Sequence, residues 1–396
     1  MDVRHLLNDT PCHIVLLVVD GLGGYADGDH GSELEDARTP NLDRLATQGM
    51  TGLTHPVGPG ITAGSGPGHL ALFGYDPTEY RLGRGVLSAA GVEFDLRPGD
   101  VAARGNLATL DDQGQVASRR AGRIGDEAAQ AITARLSERV ELDDVEVFFR
   151  HISEHRVLVV LRGDDLDPRV NDLDPQREGL PPREPIAQDP AAEHTADVLK
   201  RLDNAMRTAL DGEQVDAVLL RGFDTFHELP SFRQRYGLHA ATVARYPMYR
   251  GVARLVGMAV LPKTHSPPEQ VGLMRQHWDS HDYFFMHEKD TDRAGHDGER
   301  DAKIAAIEGI DAVVPDIVAL DPDVLVVTGD HSTPTQLSAH SWHPVPTLIW
   351  GPSVGRDEVT SFGERACAHG LLGQCRGVDL MPIMLASALR LEKFGA

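Results

Sequence analysis

Residues 14–20 read IVLLVVD, six consecutive branched apolar residues followed by a carboxylate. An unbroken apolar run of that length suits a strand buried on both faces, because a strand with one wet face alternates. It is far too short to cross a bilayer, which takes about 20 residues. The same ending recurs twice. DYFFMHEKDTDRAGH, 282–296, places Asp292 and His296 just past a strand, and DVLVVTGDHS, 323–332, places Asp330 and His331 just past another. A single aspartate after a strand is ordinarily a turn residue or a helix cap. Three such endings in one chain predict carboxylates that converge on one sheet edge, where open α/β sheets gather their ligands.

The rest of the chain supports an α/β fold with a mostly parallel central sheet flanked by helices. Further strand-like runs lie at 145–149, 157–161, 217–220 and 347–350. Helical patterns fall at 40–49, where Thr39 and Pro40 form the start and Gly49 the stop, and at 126–138, 189–210 and 299–320, with another ending the chain. The middle is different. Two strand-like runs there are separated by only a few residues, including ISEH, and read as an antiparallel pair. They are followed by NDLDPQREGLPPREPIAQDP, 171–190, which is loop or linker material. We expect residues 1–90 and 186–396 to form the core, and 91–185 an inserted, smaller α+β lid domain.

Composition narrows the function. The 396 residues carry 60 acidic and 38 basic side chains, a net charge of −22, which disfavours a nucleic-acid binder. Three cysteines without a C-x-x-C pair argue against a disulfide framework or a cysteine zinc site, and fit a cytoplasmic protein. No secretory signal or membrane segment is evident near the start. Converging carboxylates need neutralising, and divalent cations with imidazole ligands are the usual means. In ITAGSGPGHL, 61–70, Ser65 stands between glycines that leave its hydroxyl approachable. The stretch lacks the outer glycines of a G-x-S-x-G elbow and the G-K-[ST] of a P-loop. A metal-activated serine nucleophile fits both features better than a plain turn. His340 and His343 in SAHSWHPVP offer a further imidazole, and spacing alone does not choose between them.

GLGG, LEDARTPNLDRLATQG, AGSGPGHLALFGYDP, GRGV, GDVAARGNLAT, RRAGRI, DTDRAGHDG, TGDHSTP and AHSWHPVP occur in this order across nearly the whole chain. Together they resemble the archaeal-type cofactor-independent phosphoglycerate mutases of the alkaline phosphatase superfamily. That resemblance implies an alkaline-phosphatase-like core and interconversion of 3-phosphoglycerate and 2-phosphoglycerate through a phosphoserine. It also implies two divalent metal ions, commonly Mn2+ with Mg2+, Zn2+ or Co2+ as alternatives, and no 2,3-bisphosphoglycerate cofactor. By motif match Ser65 is the nucleophile. Asp20, Ser65, Asp330 and His331 would bind one metal, and Asp292, His296 and His340 the other. Many relatives read G-S-D-T-A-H where this chain has GSGPGH, 64–69; the serine and His69 align, and the aspartate is missing.

A small phosphorylated carboxylic acid needs cationic contacts, and guanidinium groups bind carboxylate and phosphate bidentately. Arg84, Arg104, Arg120, Arg123 and Arg156 are the candidates, with His155 as an acid or base of near-neutral pKa. Related metal-dependent phosphomutases, phosphatases and small-alcohol phosphotransferases would share the metal residues. A non-catalytic metal or phosphate binder would not need Ser65.

Overall fold

The computed structural model describes residues 2–28 and 30–395. The chain divides into two compact units, Met1–Arg81 with Leu229–Ala396, and Leu82–Glu228. The first holds an eight-stranded sheet. Its order is Gly373–Arg376, Met50–His55, Val345–Trp350, Val324–Thr328, Ile14–Val19, Tyr283–Glu288, Ala240–Thr242 and Ala259–Val260. Pairing is parallel except at Val345–Trp350, which runs antiparallel to both neighbours. Ile14–Val19 lies between the other two strands singled out by their acidic endings. Val19 pairs with Glu288 and Val18 with Thr328, both in parallel register. That register is what brings Asp20, Asp292 and Asp330 to one edge.

All six residues of Ile14–Val19 are buried, as an unbroken apolar run requires. Alternate side chains point to opposite faces. Val15, Leu17, Val19, Phe284, Met286, Leu325 and Val327 pack with Leu42 and Leu45 of helix Pro40–Ala46 and with Ile307 and Ile310 of helix Arg300–Asp311. On the other face, Phe285 meets Phe73 and His69 beside helix Ser65–Leu72, and His287 stacks on Tyr249 of helix Pro247–Leu255. The expected 299–320 helix is two pieces. Arg300–Asp311 ends and Val314–Val318 restarts with Pro315 in its first turn, where a missing N–H costs nothing.

The second unit carries an antiparallel sheet ordered Val116–Ser118, Val101–Leu110, Arg156–Arg162, Glu146–Ser153, with Ala217–Thr225 also paired to Val101–Leu110. Glu146–Ser153 and Arg156–Arg162 form the expected antiparallel pair. Helices Asp126–Arg139 and Glu193–Leu210 contribute Ile132, Leu136, Leu199 and Leu202 to its core. This unit is wider than the 91–185 expected. Ala217–Thr225 closes on Val101–Leu110 through cross-strand pairs from Ala108↔Ala217 to Val101↔Thr225, so helix Glu193–Leu210 stays with it. At the other end, helix Arg84–Gly91 sits so close to the Val101–Leu110 strand that a Cβ at Gly85 would strike the Ala102 carbonyl. The Pro- and Asp-rich stretch at 171–190 is therefore a loop inside the unit rather than a linker at its border.

Glycines report how tightly these layers meet. A Cβ on Gly68 of helix Ser65–Leu72 would strike the Asp330 carbonyl, whereas one on Gly309 of helix Arg300–Asp311 would meet nothing within 4 Å. Gly68→Ala is therefore expected to destabilise the protein by about 1–3 kcal/mol. Gly309→Ala is expected to stabilise it by about 0.5–1 kcal/mol. Denaturant unfolding of the two variants checks both signs, and equal effects would refute the close approach at Gly68.

Candidate active site

Asp20 follows the Ile14–Val19 strand and is fully buried. Its Oδ2 accepts from the Tyr249 hydroxyl, from Lys289 Nζ at 3.0 Å and from His287 Nε2 at 3.2 Å. Its Oδ1 is buried with no hydrogen-bond partner. Asp330 Oδ1 accepts from the Gly21 amide at 3.2 Å, and its buried Oδ2 lies 3.2 Å from Nδ1 of the fully buried His69. Asp292 lies in the first turn of helix Asp290–Asp297. Its Oδ2 takes Lys289 Nζ at 2.5 Å and its Oδ1 takes the Thr333 hydroxyl at 2.7 Å.

Beyond His287 and His69, three more imidazoles face these carboxylates. His331 Nε2 lies 3.2 Å from Ser65 Oγ, 3.3 Å from Asp20 Oδ1, 3.3 Å from Asp330 Oδ2 and 3.9 Å from Asp292 Oδ1. One N–H cannot serve four oxygens. His296 and His340 each place Nε2 3.6 Å from Asp292 Oδ1. The outward nitrogens are occupied: His296 Nδ1 meets the Ser338 carbonyl at 3.3 Å and His340 Nδ1 the Ala63 carbonyl at 2.9 Å. A carbonyl only accepts, so in both rings Nδ1 carries a proton, and in the neutral ring Nε2 is the nitrogen left to act as a ligand.

Lone pairs converging on one space are what a cation satisfies, and here Asp20, Asp292 and His331 are buried, His340 half-buried and His296 exposed. Among the described residues, Asp292, His296 and His340 form one group with ligand atoms within 4.8 Å of one another, and Asp20, Asp292 and His331 form a second. The mixed oxygen and imidazole donors suit a first-row divalent metal. Ser65 opens helix Ser65–Leu72 beside the second group, and its carbonyl meets His69 Nδ1 at 2.7 Å. His343 is turned away, between Tyr25 and Trp342, with Nδ1 3.0 Å from Ser341 Oγ.

Charge states follow from burial and neighbours. Burial pushes the Asp20 carboxyl up, but Lys289, His287 and His331 together hold it well below its ordinary range. Burial lowers His331 and His287 to about 4, leaving both neutral. Burial and the Asp20 charge raise Tyr249 well above its ordinary value, so it stays a donor. Burial lowers Lys289, yet Asp20 and Asp292 outweigh it and keep the ammonium charged. Lys289, Tyr249, His287 and Thr333 escape sequence reasoning. Only Lys289 had a local signal, sitting between the strand and Asp292 in HEKDTD. A cavity of about 450 Å³ opens here, lined by Arg245, Tyr246, His287, Lys289, Asp292 and His296 among others.

The second unit gathers guanidinium groups. Burial, then the charges of Arg84, Arg221 and Arg156, lower Arg104 to about 10. Arg221, unforeseen, pairs with Arg104 across the strands. The Nε atoms of Arg104 and Arg221 are buried with no hydrogen-bond partner. Asp174, fully buried, binds Arg119 Nη2 at 2.5 Å and lies 3.7 Å from Arg221 Nη1. Arg156 pairs with Glu154 at 3.0 Å. Arg120 and Arg123 are exposed. His155 does not keep the near-neutral pKa expected of it: burial and then Arg156 lower it to about 4.

The chain is similar to known proteins along its whole length. The family model for 2,3-bisphosphoglycerate-independent phosphoglycerate mutase matches residues 46–216. A probable 2,3-bisphosphoglycerate-independent phosphoglycerate mutase of Thermus thermophilus is 48% identical over 400 residues, covering 100% of this chain and 98% of its own. One from Deinococcus radiodurans is 46% identical over 405 residues, with the same coverage. A solved protein of Pyrococcus horikoshii superposes with a TM-score of 0.84 at 29% identity, covering 98% of this chain and 100% of its own. The cofactor-independent phosphoglycerate mutase of Thermoplasma acidophilum gives 0.73 at 28%, covering 95% and 100%. The likeness thus extends to bacterial relatives and is not confined to archaeal ones. With close to half of its residues shared end to end with such relatives, this chain belongs to the 2,3-bisphosphoglycerate-independent phosphoglycerate mutase family.

Proposed function

We propose that this protein interconverts 3-phosphoglycerate and 2-phosphoglycerate through a phosphoserine on Ser65. The observation that carries the reading is the convergence on His331 Nε2. Ser65 Oγ, Asp20 Oδ1 and Asp330 Oδ2 all lie within 3.3 Å of it, a donor set that fits a divalent ion beside a hydroxyl. Asp20, Ser65, Asp330 and His331 would hold one ion, and Asp292, His296 and His340 the other, with Mn2+ as our choice. Such ions lower the pKa of a bound hydroxyl and offset charge on phosphoryl oxygens.

The serine chemistry runs in two halves. Ser65 Oγ bonds to phosphorus as the bond from phosphorus to the glycerate oxygen breaks, and that oxygen takes up a proton. The retained glycerate then offers its other hydroxyl, which takes the phosphoryl group and restores Ser65. No bisphosphoglycerate is consumed. Lys289, held between Asp20 and Asp292, keeps the two carboxylates in register. Arg84, Arg104, Arg156 and Arg221 grip the substrate carboxylate. Among the candidates we rank the half-buried Arg104 and Arg221 above the exposed Arg84, Arg120 and Arg123, because their Nε atoms lack a hydrogen-bond partner and such groups gain most from an anion. His155, neutral at pH 7, serves as a hydrogen-bond partner of the glycerate rather than as its proton donor.

A phosphatase or phosphotransferase would keep the same metal residues and differ in whether water reaches the phosphoserine. Purified protein given 3-phosphoglycerate and Mn2+, without bisphosphoglycerate, is expected to form 2-phosphoglycerate with little free phosphate, and to stop after chelation. Free phosphate alone would overturn the mutase reading. Ser65→Ala is expected to lower turnover by roughly 10⁴-fold or more while still binding metal through the Asp292 group. Near-normal turnover would remove Ser65 from its role.

The depressed pKa of His155 has a stability consequence. Its folded value of about 4 lies below the unfolded value near 6.5, so between these the unfolded chain binds more protons. Stability from this group is complete above pH 6.5 and is lost as pH falls toward 4. Between pH 7 and pH 5 the loss should be about 2 kcal/mol. Denaturant midpoints at the two pH values should differ more in the parent protein than in His155→Gln, and parallel shifts would contradict the assignment.

A further inference from the structure

The metal-facing imidazoles of His296 and His340 are anchored by main-chain carbonyls. His331 is anchored differently. Its Nδ1 lies 3.0 Å from Thr333 Oγ1, and the same hydroxyl lies 2.7 Å from Asp292 Oδ1. A carboxylate only accepts, so the hydroxyl proton goes to Asp292. Toward His331 the hydroxyl oxygen is then left to accept, which requires the proton on Nδ1. The Nε2 lone pair is thereby aimed at Ser65 Oγ, Asp20 Oδ1 and Asp330 Oδ2. One hydroxyl sets the direction of a ligand in each of the two groups.

The chain is built tightly around this residue. Thr333 is fully buried. Its amide donates to the Gly23 carbonyl at 3.1 Å and faces the Gly21 carbonyl at 3.3 Å, and its own carbonyl accepts from buried Lys303 Nζ at 2.9 Å. Two glycines leave the space for it. A Cβ on Gly21 would come to 2.5 Å from Thr333 Oγ1, and one on Gly295 would meet the Thr333 carbonyl and lie 2.9 Å from its Cγ2. Gly21 also adopts φ +63°, where a side chain is strained in any case. The hydroxyl is thus fixed from the Asp20 loop, from helix Asp290–Asp297 and from helix Arg300–Asp311.

We propose that Thr333 is a positioning residue that couples the two metal groups, fixing the His331 tautomer and the Asp292 Oδ1 direction with a single hydroxyl. The inference rests on the metal-site reading given above. Outer partners of metal ligands typically contribute roughly 10- to 100-fold in metal affinity, and here one partner serves two ions.

The test is calorimetric titration of Mn2+ into metal-stripped full-length protein. Thr333→Val keeps the shape and removes the hydroxyl; Thr333→Ser keeps the hydroxyl. The valine variant is expected to lose roughly 10- to 100-fold in affinity at both sites, and the serine variant to bind as the parent does. The melting temperature of the metal-free serine variant should match the parent, separating ligand positioning from general packing. Nitrogen NMR of the metal-free histidines gives a second readout: the parent should show His331 protonated at Nδ1, a preference lost with valine. If the valine variant does not fold, Thr333→Ala makes the same comparison. Unchanged affinity without the hydroxyl, weakening at one site only, or failure of serine to rescue would each overturn the coupling. A parent protein that binds no Mn2+ would instead overturn the metal-site reading, and this inference with it.

Discussion

Asp20, Asp292 and Asp330, at most 2% exposed, are held at one end of three adjacent parallel strands. Everything else at this edge answers that crowding. Two like charges 4 Å apart repel by about 4 kcal/mol at an effective dielectric of 20, and burial strips away the water that would screen them. The protein supplies one cation of its own, Lys289, which bridges Asp20 and Asp292. It adds donors in Tyr249, His287, Thr333 and the Gly21 amide. These do not use every lone pair. Asp20 Oδ1 has no hydrogen-bond partner, and Asp20, Asp292 and His331, like Asp292, His296 and His340, present ligand atoms close enough together to hold a cation.

The fold makes the crowding affordable by rigidity. The three strands are buried apolar segments whose side chains interdigitate with helices on both faces, and their parallel registers leave no freedom to slide. A one-residue slip would turn every apolar side chain to the opposite face and carry each aspartate out of the cluster. Helix Ser65–Leu72 is locked to the same edge by the near-contact of Gly68 with the Asp330 backbone, so the Ser65 hydroxyl and the carboxylate are placed by one packing interaction.

What could be read from the sequence follows the same physics. Acidic endings on apolar runs are local, and Asp20, Asp292 and Asp330 announce themselves. Tyr249 reaches Asp20 across 229 residues of sequence, from a helix whose pattern shows only amphipathicity. His287 is an alternating residue inside a strand, indistinguishable by spacing from a core side chain. Thr333 lies two residues past His331 in a loop, where a threonine carries no signal of its own. The second unit hid more. Arg221 meets Arg104 only because Ala217–Thr225 folds back on Val101–Leu110, and Asp174 sits in a stretch whose composition says loop although its carboxylate is a buried anchor for Arg119. The same long-range strand pairing displaced the expected domain border.

The two units solve opposite electrostatic problems. One concentrates carboxylates and would repel a phosphorylated acid until cations reverse its field. The other gathers guanidinium groups, Arg104 and Arg221 among them, beside one buried carboxylate. The reaction proposed sets a demand of its own. Halfway through, the phosphoryl group is on Ser65 and the glycerate is held by nothing but its carboxylate and hydroxyls. A site that bound substrate through the phosphoryl group alone would release glycerate at that moment and leave the phosphoserine to water. A mutase must therefore hold glycerate through groups that play no part in phosphoryl transfer, a demand that a phosphatase built on the same metal ligands would not face.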